Sequence, residues 1–466
     1  MSRWCWCAVV AILCLGVVGG CKSGDLVVKK VSWELSEDFV GPVTVRWEQS
    51  DEAPVRVEYL VDEVWQSTHL VQGKEGANRA TVVGVPFGTT SDLRVVTERG
   101  DLSFDASTPI VQRDAPSKMP LPTISDSLPE RQEPTANYIL LSINQNACAW
   151  CPGTYWLMII DRQGRPVWAT KTPPAHWILY AQISASGDSV LWDDIDESDD
   201  YSSFEGYSVA RRSYLDAPIE EIEIPGHHHA MIELPDGTLA WAAGRFEDDY
   251  TGYEAIMERA PGAEVPDEVW RCDEDWPALS LTYSYSGYKY DGCFGSNALW
   301  YDSSSDTYQF SWYSVDSVVE IDRSTGESVW WSESESLGNP GLGPEYGFDP
   351  PSSRFDWQHG VQVIDDGNLL LSTDDEDSTL VREYEIDHEA KVLREVWSFD
   401  PGISAEYNGD VRRLANGNTL HGLGAASVLY EVTHDGTVVW RAEFARDKLL
   451  GRADLIEDLY NLVAHD

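Results

Sequence analysis

Hydrophobic and polar residues alternate with a period of two along most of the chain. Between residues 26 and 112 the pattern is clearest in Val43-Thr-Val-Arg-Trp47, Val55-Arg-Val-Glu-Tyr59 and Leu93-Arg-Val-Val-Thr97. Each run reads as a half-buried strand, and the turn residues between them suit two packed sheets. Residues 113–136 break the pattern with proline and polar residues and read as a linker. From residue 137 a looser repeat begins. A Val-Trp pair closes a strand at Val167-Trp168, Val269-Trp270, Val329-Trp330, Val396-Trp397 and Val439-Trp440, with one mark missing in the longest interval. Strand–turn–strand phrases recur as Glu233-Leu-Pro-Asp-Gly-Thr-Leu239, Val363-Ile-Asp-Asp-Gly-Asn-Leu369 and Leu414-Ala-Asn-Gly-Asn-Thr-Leu420. Their Asp-Gly and Asn-Gly pairs predict tight hairpins with φ > 0 at both central positions. Only 446–462 has helical spacing. The fold predicted is all-β: an N-terminal β-sandwich over 26–112, the linker 113–136, and a six-bladed β-propeller over 137–466 with a short helical tail.

Composition narrows the function. The 466 residues carry 33 Lys+Arg against 79 Asp+Glu, a formal net charge of −46. That balance excludes a nucleic-acid binder, which needs a basic face. The acidic runs Asp193–Asp200 and Asp374–Asp377 lack the spacing and glycine of a calcium loop. They read as solvated loops, and no metal site is predicted.

The first twenty residues are a charged start followed by an apolar run, a secretory leader too short to span a bilayer. Val18-Gly19-Gly20-Cys21 resembles the lipobox of bacterial lipoproteins, which implies lipidation of Cys21; ordinary cleavage nearby is the alternative. Lys22 is not the aspartate of the inner-membrane retention signal. The expectation is a lipid-anchored cell-envelope protein on the outer membrane, at its periplasmic or surface side. Export leaves Cys148, Cys151, Cys272 and Cys293 in an oxidising compartment, with three possible pairings. Cys148-Ala-Trp-Cys151 has the spacing of a redox pair, but it follows a strand-like Tyr138–Ile143 with no helix pattern after it, so structural disulfides are expected, with Cys272–Cys293 the more natural loop staple. Trp47, Tyr59 and Gly88-Thr-Thr to Leu93-Arg-Val resemble a fibronectin type III domain.

Two histidines stand out by position. His229 and His359 each lie eight residues before the glycine of a hairpin, Gly237 and Gly367. Equivalent positions of a propeller's inner strands converge on its axis, so both are expected at the central funnel, with His228 beside one of them. The alternative is a polar loop at 227–229 and a turn at 359. His421 ends a similar phrase and is a further candidate for the channel.

Around these residues the sequence resembles the bacterial arylsulfotransferase family. The resemblance rests on Phe355-Asp-Trp-Gln-His-Gly to Leu371, Arg382-Glu-Tyr-Glu-Ile-Asp387, Gly409-Asp-Val-Arg-Arg to Leu420, Glu431-Val-Thr-His-Asp-Gly to Trp440 and Val319-Glu-Ile-Asp-Arg to Trp330. It implies transfer of a sulfuryl group between phenols through a sulfated histidine, with no nucleotide donor and no cofactor. By position it makes His359 the nucleophile and His228 and His229 its partners, and it assigns Asn297 to the sulfate. The sequence departs from the family at Gly295, where a histidine is expected, at Tyr313, near the expected arginine, and at Ala230 and Gly360, where aspartates are expected. Arg354, Arg382 and Arg412 are candidate replacements for the lost cation. A propeller that only binds a ligand or partner at the envelope is the second reading, since fold does not fix function.

Overall fold

The computed structural model describes residues 26–98, 102–105, 109–146, 154–196, 208–248, 251–275, 282–285, 288–293, 295–333, 345–375, 377–405 and 407–464. The expectations for the leader, Cys21, Cys148 and Cys151 fall outside them. The chain is all-β. Among the described residues, helix is confined to single turns such as Cys272–Asp275 and Leu459–Leu462.

Two antiparallel sheets form the N-terminal part. Val28–Leu35, Val43–Gln49 and Gly76–Val82 make one; Val64–Ser67, Ala53–Val61, Leu93–Thr97 and Leu102–Asp105 make the other. Alternation sends Val43, Val45 and Trp47 from the first sheet, and Val55, Val57, Tyr59 and Val95 from the second, into one core. That core continues into Val167, Trp168 and Tyr460. Phe39 stacks on Trp168 at 5.7 Å, and the hydroxyls of Tyr59 and Tyr460 both donate to the Val83 carbonyl.

The segment 113–136 is not a free linker. Thr123–Ser125 adds an edge strand to Val438–Glu443. Gln132 and Glu133 are buried, with Gln132 donating to the Val439 carbonyl and Glu133 accepting from the Asn416 amide. Proline sets the bends, but the edge of a sheet satisfies the backbone between them.

From Tyr138 onward antiparallel sheets succeed one another. Six strands of the described residues lead them: Ala181–Ile183, His227–Glu233, Ser296–Asp302, Asp356–Val363, Gly409–Arg413 and Leu449–Ile456. Each of the last five touches the next, or, for Leu449–Ile456, returns to Ala181–Ile183. Val190–Asp196, the partner of Ala181–Ile183, touches His227–Glu233 and completes the circuit. Leu449–Ile456 pairs with Tyr138–Asn144, so the end of the chain closes the sheet that its middle began. We refer to these six as the ring strands. The Val-Trp pairs lie three strands out from a ring strand, at Pro166–Lys171, Asp267–Arg271, Ser328–Ser332, Val392–Phe399 and Val438–Glu443. The sheet without the mark ends on Glu220–Glu223, which carries Ile222 there.

Three expectations change. The hairpins at Gly237, Gly367 and Gly417 have only the glycine at positive φ, at +84°, +85° and +86°. Each glycine N–H closes a turn onto Leu234, Ile364 or Leu414, and the preceding Asp236, Asp366 or Asn416 uses its side chain to accept from the amide beyond. The side chain's own hydrogen bond therefore replaces the second positive φ. The tail is a strand over Leu449–Ile456 and not a helix, because pairing with Tyr138–Asn144 outweighs local helical spacing. Asp193 and Asp194 are buried within Val190–Asp196 and not solvated: Asp193 accepts from the Tyr180 amide and lies 3.2 Å from His227, and Asp194 holds His176 and Arg211.

Candidate functional site

His359 lies in a bulge of the fourth ring strand, where the register slips on both sides of it. Trp357 and Gly360 flank it at φ +47° and +57°. Positive φ at a tryptophan costs energy that the surroundings must offset, and such strain gathers at functional sites. The amide of Trp357 is held by the Asp316 carboxylate at 2.9 Å. Nδ1 of His359 lies 2.9 Å from the Trp357 carbonyl. A carbonyl only accepts, so Nδ1 carries the proton and Nε2 presents a lone pair. Burial pushes the imidazole down to about 4, with the Arg452 charge adding to it and the bond to Trp357 opposing it. The ring is therefore neutral at pH 7. Tyr313 packs 5.8 Å from it, centroid to centroid.

His229 occupies the corresponding bulge of the second ring strand and also has positive φ, +57°. Burial, then the neighbouring His228, His227, His359 and Arg452, hold its imidazole well below the usual range. His229 and His359 thus share one electrostatic environment, and Arg452 acts on both. His228 is buried; its Nδ1 lies 3.1 Å from Nδ1 of His229 and its Nε2 3.3 Å from Oε1 of Glu254.

Arg452 comes from the closing ring strand and is 8% exposed. It donates to the Asn297 carbonyl at 3.2 Å, lies 3.7 Å from Asp410, and stands 4.3 Å over the Tyr180 ring. Asp410 and Arg412 share the fifth ring strand. Burial raises the Asp410 carboxyl, against the pull of Arg452 and Arg412. Asp410 Oδ1 lies 3.0 Å from where a Cβ on Gly360 would stand, so the carboxylate absent at 360 is replaced nearby from the next strand.

The other expected residues fall elsewhere. Asn297 is buried, but its amide donates to the Gln358 carbonyl and accepts from Ser311, so its side chain ties the third ring strand to the fourth. His421 is fully buried one strand out from the ring, 3.0 Å from the Ser372 hydroxyl, and burial pushes it down to about 3. Arg382 sits two strands out from His359, donating to the Arg354 carbonyl and pairing with Asp375 and Glu395. Arg354 in turn pairs with Glu333. Neither supplies the cation beside His359. Gly295 has φ +116°, and a Cβ there would come within 2.6 Å of Ser314. No histidine fits at 295 without moving Ser314.

Residues 289–445 match the family model of arylsulfotransferase (ASST). The matched segment carries His359 and supports a sulfotransferase-like function in general. Among solved structures, a protein of unknown function from Bacteroides caccae is 13% identical, with 69% of this chain and 100% of that one covered and a TM-score of 0.45. A catalytically inactive virginiamycin B lyase from Staphylococcus aureus with quinupristin is 12% identical over 73% of this chain and 97% of that one, at a TM-score of 0.37. A further protein of unknown function, from Bacteroides thetaiotaomicron, is 11% identical over 90% and 98%, at 0.36. No curated protein matches the chain.

Sequence reasoning missed Arg452, Asp410 and Glu254. Arg452 lies beyond the matched segment, in the stretch read as helix. Read as a strand, Leu450-Gly-Arg-Ala-Asp454 would have placed Arg452 and Asp454 on one face.

Proposed function

We propose that this chain is a six-bladed β-propeller behind a fibronectin type III-like sandwich, lipid-anchored at Cys21 in the cell envelope, and that it transfers a sulfuryl group between phenols. What carries the reading is the meeting of a neutral His359, with its Nε2 lone pair free of the Trp357 bond, with His229 and the buried Arg452. In the first half-reaction Nε2 of His359 attacks sulfur, the bond from sulfur to the aryl oxygen breaks with its electron pair on that oxygen, and the aryl oxide leaves, taking from water the proton that His229 releases after the second half-reaction. In the second, an acceptor phenol gives its proton to His229, its oxygen attacks sulfur, and the S–N bond breaks with its electron pair returning to His359. Arg452 would stabilise the sulfuryl oxygens, the task an arginine performs for oxyanions. The site needs no cofactor for these steps.

The test uses protein lacking residues 1–21, a chromogenic aryl sulfate, and intact mass after rapid quench, with and without phenol. Phenol release with a mass gain of one sulfuryl group, absent in His359→Ala, is expected. Absence of both release and adduct across several donors would sink this reading. It would favour a ligand-binding ring, to which the missing side chain at Gly295 and the aromatic Tyr313 already lend support.

A further inference from the structure

The sulfuryl-transfer steps leave one buried charge beside the histidines unused. Glu254 lies on the Thr251–Arg259 strand, fully buried, in register with Gly244 of the neighbouring strand. Its Oε1 accepts from the backbone N–H groups of Gly295 at 2.6 Å and Ser296 at 2.8 Å. Two amide donors can only be met by an acceptor, so Oε1 has no proton of its own. The same oxygen lies 3.3 Å from Nε2 of His228. A carboxylate oxygen only accepts, so this approach favours the His228 proton on Nε2 and a lone pair on its Nδ1. The 3.1 Å approach of the two Nδ1 atoms then makes His229 the donor. One lone pair is left in the chain, on Nε2 of His229.

The carboxylate is fixed from several sides. The amide of Glu254 donates to Sγ of Cys272, and the Cys272–Cys293 disulfide ties that point to the segment leading into Gly295. Cys293 donates back to the Gly252 carbonyl. Gly295, where the family resemblance calls for a histidine, offers a backbone N–H to Glu254 instead. The charged and titratable groups around the pair are His227, with Asp193 behind it, His359 and Arg452.

We propose that Glu254 is a positioning residue: acting through His228, it sets the tautomer of His229 so that Nε2 takes the proton of the acceptor phenol. This deepens the sulfuryl-transfer reading and rests on it. A carboxylate, an intervening imidazole and a terminal base make a relay in which the buried acid never touches substrate. In the forward direction the phenol O–H bond breaks to His229 Nε2 as the phenol oxygen bonds to sulfur and the S–N bond to His359 breaks.

The test separates the two half-reactions. With 4-nitrophenyl sulfate the leaving group needs no proton, so adduct formation on His359 reports the first step alone. Transfer from that adduct to unsubstituted phenol needs the base. Glu254→Gln keeps the shape and an acceptor for the two amides but removes the charge. It is expected to slow phenol transfer at least about tenfold more than adduct formation, as expected when a general base is lost. The deficit should shrink with acidic phenols that enter as phenolates. Glu254→Asp should restore part of it, and His229→Ala combined with Glu254→Gln should be no worse than His229→Ala alone. Equal slowing of both steps, or a deficit blind to the phenol's acidity, would show a structural role only and overturn the proposal. So would additive effects in the double variant. Absence of any adduct in the unsubstituted protein is a different failure: it removes the sulfuryl-transfer reading, and this proposal with it.

Discussion

Arg452 is the residue on which the proposed anion chemistry of the ring turns. Its guanidinium has a carbonyl, a carboxylate at 3.7 Å and an aromatic face around it, and its field reaches both His229 and His359. Replacing it with glutamine should lower kcat/KM for an aryl sulfate by about a hundredfold, the scale of removing one oxyanion donor, measured by initial rates at fixed phenol. His421 makes a prediction about stability. Its folded pKa, about 3, lies below the unfolded value of about 6.5, so the unfolded chain binds the proton first as pH falls. Stability is present above pH 6.5 and is lost below it, by about 2 kcal/mol at pH 5. Urea midpoints at pH 7 and pH 5 should differ accordingly, and His421→Gln should narrow the gap. At this scale the histidines were legible because hairpin glycines gave them a common ruler. Arg382 and Arg354 were not distinguishable from Arg452 in sequence, since only the third dimension tells a ring strand from an outer one.

Strands and turns were read more easily than their partners. The Val-Trp pairs and hairpin glycines marked sheet edges and turns because both reflect local chemistry: a large ring at the base of a sheet, and a residue free of Cβ where φ is positive. The fate of 113–136 and of 449–456 was set by distant strands, and no local pattern encodes that. The Cys272–Cys293 disulfide closes a separation of 21 residues. In the chain-entropy account, a loop of that size contributes about 3 kcal/mol. Serine at both positions should lower the unfolding free energy by about that amount. It should also slow phenol transfer, because Glu254 leans on Cys272. Denaturant titration and the half-reaction assay read these two effects separately.

For the whole molecule, charge and closure matter most. A net charge of −46 repels an anionic donor at a distance. Screening weakens that repulsion beyond about 10 Å at 0.1 M salt. Raising sodium chloride from 10 to about 300 mM should therefore increase kcat/KM for the aryl sulfate and leave the rate at saturation nearly unchanged; a fall in kcat/KM would place the Arg452 attraction above the global repulsion. Closure adds a matter of timing. Leu449–Ile456 completes the ring against Tyr138–Asn144, and the same strand delivers Arg452, whose charge acts on both His229 and His359. A chain made from its N-terminus holds both histidines long before it holds Arg452. Until the last strand arrives, the ring is open and Arg452 is missing from it. On the proposed reading, activity would begin only with the finished molecule, and a chain cut short before residue 449 should be inert whatever else of it has folded.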